Sequence, residues 1–122
     1  MKYSILITEK AKRDINEAAD YIEYVLFNPE AADDLLDEVE RSLNKLSHMP
    51  DKYKIVNDPV LASWGIRMKV INKYIAFYVV DVNSKTVTII RFLYGKRNWI
   101  SVLSNDMTSP DWTVEIPQKP GK

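Results

Sequence analysis

Up to Pro50 the apolar residues recur with the period of a helix, and from there to Tyr94 with the period of a strand. Tyr3 to Ile7 is a short apolar run bounded by Thr8, which predicts a strand followed by a helix that Thr8 caps. Ala11, Ile15, Ala18, Ile22 and Val25 follow at spacings of four, three, four and three, one face of that helix, and Glu17, Asp20 and Glu23 fall largely off the stripe. Asn28-Pro29 restarts the chain, because Asn caps a helix well and Pro is tolerated in its first turn. The second helix carries Leu35, Leu36, Val39, Leu43 and Leu46 on one side and stops near Met49-Pro50. The pair reads as a hairpin, apolar inside and acidic outside.

Beyond Pro50 the segment Asp51 to Ser63 is irregular, apart from a short strand at Tyr53 to Val56. Three strands are then expected at Gly65 to Val70, Tyr74 to Val80 and Thr86 to Tyr94, joined by tight turns at Asn72-Lys73 and Asn83-Ser84-Lys85. In the last of these, Val87, Ile89, Arg91 and Leu93 alternate with Thr88, Ile90, Phe92 and Tyr94. Arg91 interrupts an otherwise apolar row, so it calls either for an anionic ligand or for an ion pair with a helix carboxylate. Asn98 to Ser104 adds a short helix or an extended piece. The expected fold class is therefore α+β, an N-terminal strand, a helical hairpin and an antiparallel sheet over residues 1–104, with a C-terminal extension. That extension, residues 105–122, is rich in Pro, Ser, Asp and Lys and is expected to be mobile or loosely docked, with Trp112 to Ile116 as a candidate edge strand.

Composition narrows the classes. At 122 residues and 46% hydrophobic the chain suits one domain with a real core. It has no cysteine and one histidine, His48, so no disulfide, no metal site and no cofactor is expected, and His48 suits a helix terminus better than catalysis. No leader opens the chain, and its longest apolar run, Ile75 to Val80, is far short of the ~20 residues of a membrane span, so a cytoplasmic protein is expected. No P-loop, G-x-G-x-x-G or H-E-x-x-H is present, and Ser63, Ser84 and Ser101 have no histidine in a triad-like context.

Charge adds a direction to this picture. The 17 basic and 17 acidic residues cancel, yet residues 1–51 hold 6 basic and 12 acidic groups, whereas residues 52–97 hold 9 and 2. From Gly65 to Arg97 there are seven cations, Arg67, Lys69, Lys73, Lys85, Arg91, Lys96 and Arg97, against Asp81 alone. A small sheet with that excess suits an anionic target, phosphate or carboxylate. The candidate constellation is Lys54, Arg67, Arg91, Tyr94, Lys96 and Arg97, with Tyr53 nearby. Arginine offers a bidentate fork and lysine a point charge, so the set fits charge stabilisation at a phosphate. Cleavage of RNA would also need a base and an acid, and no histidine or carboxylate supplies them here; a tyrosine or lysine would have to titrate far below its ordinary range. Trp64, Tyr74, Phe77 and Tyr78 suit core packing better than base stacking.

Taken in order, Ala11-Lys12-Arg13-Asp14-Ile15, Tyr21-Ile22, Gly65-Ile66-Arg67, the strand Asn72 to Tyr78 and the run Ile89 to Trp99 resemble the RelE/ParE toxin superfamily of bacterial type II toxin–antitoxin systems, over roughly residues 1–104. The resemblance implies a concave sheet face that functions and is covered by a segment of a cognate antitoxin, in a hetero-oligomer. It implies one of two targets: RelE-like members cut mRNA on the ribosome, and ParE-like members inhibit DNA gyrase and are not nucleases. By position, Arg67 and Arg97 match cations that contact phosphate in the RelE-like enzymes and Lys54 falls near their central lysines. Val56 stands where a second lysine is expected and Leu103 where a tyrosine is common. As an enzyme, the chain would use Arg67 and Arg97 on the phosphate, Lys54 and Lys96 as added charge and Tyr94 for proton transfer. The runs Arg91 to Trp99 and Asn72 to Tyr78 are closer to the ParE-like branch, with Tyr94 where histidine is common, and a phenol suits binding rather than acid–base work. The expectation is a growth-inhibiting, plasmid-stabilising ParE-like toxin that binds gyrase through the basic face, Arg67, Arg91, Lys96 and Arg97, or through the helical hairpin. The alternatives are a ribosome-dependent endoribonuclease and an inactive, complex-forming relative.

Overall fold

The structure, a computed structural model, describes residues 2–107. Strand β1 (Ser4–Ile7) leads into helix α1 (Glu9–Asp20), a π-helical turn (Tyr21–Val25) and helix α2 (Pro29–His48). A short helix α3 (Pro59–Ala62) precedes strands β2 (Arg67–Ile71), β3 (Tyr74–Asp81) and β4 (Thr86–Tyr94), and helix α4 (Trp99–Met107) follows. The sheet order is β1-β4-β3-β2: β2, β3 and β4 form an antiparallel meander, and β1 lies parallel beside β4. The α+β class and the order of elements agree with the sequence pattern.

Local chemistry explains the boundaries. Thr8 accepts from the Ala11 amide at 3.1 Å as the N-cap of α1, and its fully buried hydroxyl donates to the Ile90 carbonyl at 3.1 Å, so one side chain starts the helix and ties it to β4. Asn28 caps α2 through the Ala31 amide at 3.0 Å, with Pro29 in the first turn. Ala11, Ile15 and Ala18 of α1 with Leu35, Val39 and Leu46 of α2 form the layer against Ile71, Ala76, Tyr78, Val87, Ile89 and Phe92. A fully buried leucine such as Leu35 or Leu46 contributes roughly 2–3 kcal/mol to that layer.

Three expectations are corrected. The stripe holds as far as Ile22, which is partly buried against the core, and fails at Val25: the Leu26 amide bonds the Tyr21 carbonyl five residues back, the wider turn rotates the side chains that follow, and Val25 is exposed. Leu36 is likewise exposed, on the shoulder of α2, while Ser42 and Ser47 are buried on the packed line. The strand expected at Tyr53 to Val56 is a single bridge, Ile55 opposite Arg67.

The alternation along β4 also breaks. Phe77 pairs with Arg91 and Tyr78 with Ile89, leaving Ile90 as the extra residue of a β-bulge. Val87 and Ile89 therefore share the helix-hairpin face with Phe92 rather than with Leu93, and Ile90 shares the opposite face with Leu93. That opposite face is not open. Val56, Leu61, Ile66 and Trp64, with Trp99 and Leu103 of α4, cover Ile75, Phe77, Val79 and Leu93, so the sheet face away from the hairpin is filled by the chain's own elements. Helix α4 also passes Ser104, the expected end of the domain, and runs to Met107. The candidate edge strand Trp112 to Ile116 lies outside the described residues. No helix among the described residues is long and apolar enough to cross a membrane.

Candidate functional site

The candidate cations fall into three places. Arg91, at the bulge, is not directed at a ligand surface. Strand β1 ends at Ile7, opposite Ile89, so the edge of β4 beyond it is uncovered, and Asp14 of α1 fills that edge. Its Oδ2 accepts from the Phe92 amide at 3.0 Å and from Arg91 Nε at 2.6 Å, while Oδ1 accepts from Arg91 Nη2 at 2.9 Å. Arg91 Nη1 donates to Asp106 of α4 at 3.0 Å, and Asp106 in turn receives Lys10 Nζ at 3.0 Å. Burial alone would lower the Arg91 pKa, but hydrogen bonds and charge from Asp14 and Asp106 outweigh it and hold the value above the ordinary one. Of the two readings open for Arg91, the structure holds the helix ion pair, and the network clamps α1, β4 and α4 together.

Arg67 stands at the outer edge of the sheet. Its Nη1 donates to the Tyr53 carbonyl at 2.6 Å and, at 3.4 Å, weakly to that of Asp51, which anchors the loop after α2. The Tyr53 ring lies between two ammonium groups, Lys69 Nζ at 4.4 Å and Lys52 Nζ at 5.6 Å from its centroid, and Lys54 is exposed beside it. This is a basic edge built on an aromatic and a half-buried arginine.

Tyr94, Lys96 and Arg97 share the far end of the sheet with Lys73. The Gly95 amide bonds the Lys73 carbonyl at 2.8 Å, and a Cβ at Gly95 would meet that oxygen at 3.2 Å, so glycine lets the two turns approach. Lys73, Lys96 and Arg97 are all exposed. Phe92, Tyr74 and Tyr94 form an aromatic row, with Phe92 and Tyr74 stacked at 5.0 Å and Tyr74 edge-to-face with Tyr94 at 5.8 Å. Burial raises the Tyr74 pKa. Arg67 pairs across β3 and lies four residues from Ile71, whose partner Tyr74 faces Tyr94, so strand rise and spacing put the Arg67 and Tyr94 backbones roughly 16 Å apart. The constellation expected around one phosphate is thus divided between two ends of the sheet, with Arg91 withdrawn from it. His48 is exposed at the C-terminal end of α2.

A cleft of about 650 Å³ opens beside the second basic group, within the size range of ligand pockets, walled by Tyr74 and Tyr94 from the sheet and by Tyr21, Ile22 and Leu26 from the hairpin, with Asn28 and Lys73 at its rim. The hairpin tip around it is the largest run of exposed apolar side chains in the described residues: Tyr21, Tyr24, Val25, Leu26 and Phe27. The apolar stripe placed Val25 in the core with Ile22, and Tyr24, Leu26 and Phe27 were not among the candidate site residues. The signal was there, since Tyr21 to Phe27 is Y-I-E-Y-V-L-F, six large apolar residues in seven, more than one helix face can bury.

The same architecture occurs in two solved toxin–antitoxin structures. One is a chromosomal ParDE system from P. aeruginosa, with 21% identity, a TM-score of 0.63, and coverage of 76% of this chain and 96% of that one. The other is the toxin–antitoxin complex RelBE2 from Mycobacterium tuberculosis, with 22% identity, a TM-score of 0.54, and coverage of 77% and 99%. At those identities the likeness concerns the fold. Residues 5–99 match the family described as ParE toxin of type II toxin–antitoxin system, parDE, and the chain belongs to that family. No curated protein matches it.

Proposed function

We propose that this protein is a ParE-like toxin that arrests bacterial growth by binding DNA gyrase, without cutting RNA, and that a cognate antitoxin neutralises it in a cytoplasmic hetero-oligomer. The observation that carries the choice is the division of the candidate catalytic set. Tyr94 touches an aromatic ring, Arg67 is engaged by backbone carbonyls roughly 16 Å away, and Arg91 is held by two carboxylates. A phosphoryl-transfer site needs its acid, base and cations around one phosphorus, whereas a binding surface needs none of that convergence. The antitoxin fits as an amphipathic segment whose apolar side chains enter the cleft at Tyr74 and Tyr94 while its carboxylates meet Lys73, Lys96 and Arg97.

The test is induction of the gene followed by two readouts, plasmid supercoiling by purified gyrase and primer extension on translated transcripts. Blocked supercoiling with intact mRNA is expected. Cleavage ends inside codons, lost in Arg97→Ala and Arg67→Ala, would replace this reading with the endoribonuclease one.

A further inference from the structure

The tip of the helical hairpin carries an aromatic residue in a conformation that favours glycine. Phe27 has φ of 55°, and it follows a closure in which the Asn28 amide bonds the Ile22 carbonyl six residues back. That is the position after a helix where glycine ordinarily adopts the left-handed region, because a Cβ there is strained. Phe27 is nevertheless 84% exposed, so its ring returns almost no burial to this fold for the strain it imposes. Tyr24, one turn back, is 66% exposed. Two large aromatics held outward on a rigid closure have the form of interface anchors.

The charge around them identifies the kind of surface they enter. From Asp14 to Glu40 the hairpin holds ten carboxylates and no lysine or arginine. Asp20, Glu23 and Glu30 flank the tip and join no ion pair among the described residues. Tip to tip, a second copy would bring two such fields together, and only a head-to-tail contact with its basic sheet would escape that; a nucleic acid or an anionic membrane would be repelled. A cationic protein groove is attracted.

We propose that the hairpin tip, not the basic sheet, is the element that engages the target, with Phe27 and Tyr24 entering an apolar pocket in a basic groove of a protein, of the kind that otherwise holds nucleic acid. This rests on the gyrase reading above for the identity of the target, though not for the role of the tip. The toxin would occupy the groove in place of a polyanion, and its carboxylates would set the salt dependence and the rate of encounter.

The discriminating variant is Phe27→Gly. Glycine relieves the strained backbone, so the melting temperature should hold or rise. Inhibition of supercoiling by the gyrase holoenzyme should weaken by about 30-fold or more, and growth arrest on induction should be lost. Asp20→Asn, Glu23→Gln and Glu30→Gln together should weaken inhibition about tenfold at low salt and flatten its salt dependence. If Phe27→Gly matches the unaltered protein in both supercoiling and growth, the tip is not the anchor. An unchanged salt dependence in the triple variant removes the basic groove. Unaltered protein that spares gyrase but arrests growth in a Phe27-dependent way overturns the gyrase reading alone. A concentration-dependent dimer abolished by Phe27→Gly would assign the tip to a second copy and overturn the proposal.

Discussion

At its base the helical hairpin buries Ala11, Ile15, Leu35 and Val39 against the sheet, is started by the doubly bonded Thr8 and is fastened through Asp14 to Arg91 and the Phe92 amide. At its tip, about one and a half turns further along each helix, Tyr21 to Phe27 leave five large apolar side chains in solvent around a strained closure. The two ends belong to one element and differ in what their apolar residues do. The base follows from burial, and nothing among the described residues repays the tip. Apolar periodicity therefore indicates core only as long as the backbone keeps the pitch that the periodicity assumes.

The contrast is sharpest for two leucines. Leu35→Ala at the base should cost about 3–4 kcal/mol, because it leaves a cavity between the hairpin and the sheet, whereas Leu26→Ala at the tip should cost well under ~1 kcal/mol. Urea unfolding of both variants measures it; equal losses would mean the tip is packed after all. Next comes Asp14→Ala, expected to lose about 2–3 kcal/mol, since Arg91 keeps Asp106 but loses its bidentate partner and the Phe92 amide is left uncapped. A variant as stable as the original would show that the clamp does not hold the base.

A smaller effect is expected in alkali. Tyr78 of β3 is buried between the sheet and the hairpin and donates to the Pro50 carbonyl at 2.7 Å, and burial raises its pKa far above the ordinary value near 10. The neutral phenol is thus the form that fits the fold. A raised folded-state pKa contributes stability that is complete below pH ~10 and is lost as pH climbs from there, by at most about 1.4 kcal/mol per pH unit for this one proton. Unfolding free energy measured from pH 8 to 11 should be flat and then fall. Tyr78→Phe should shrink the fall, leaving the smaller part due to Tyr74, while lowering the plateau by about 1 kcal/mol for the lost hydrogen bond.

How legible this was depended on distance along the chain. The caps at Thr8 and Asn28, the stop near Pro50, the turn at Asn72-Lys73 and the strand from Thr86 to Tyr94 were readable, because each rests on residues within a turn of one another. The need of Arg91 for a partner was readable too, but its partners were not, since they lie 77 and 15 residues away on two different helices. The bulge at Ile90 was invisible for a related reason: a period of two carries no mark of the place where one strand takes an extra residue.

What the sequence by itself determined is the set of elements, their order and the opposition of an acidic hairpin to a basic sheet, all of which follow from local spacing and composition, while the order of its motifs carried the resemblance to the family. Only the tertiary structure decided how the cations are used. Arg91 turns inward because β1 stops at Ile7 and exposes an edge that Asp14 must fill; Arg67 turns onto the Tyr53 carbonyl; Lys73, Lys96 and Arg97 are left together at the open end. The same holds for Tyr21 to Phe27, whose apolar character is plain in the sequence and whose exposure follows from a π turn that rotates them off the core. Charge and hydrophobicity are properties of residues, but whether either is satisfied within the chain depends on which groups the folded backbone brings within contact of it.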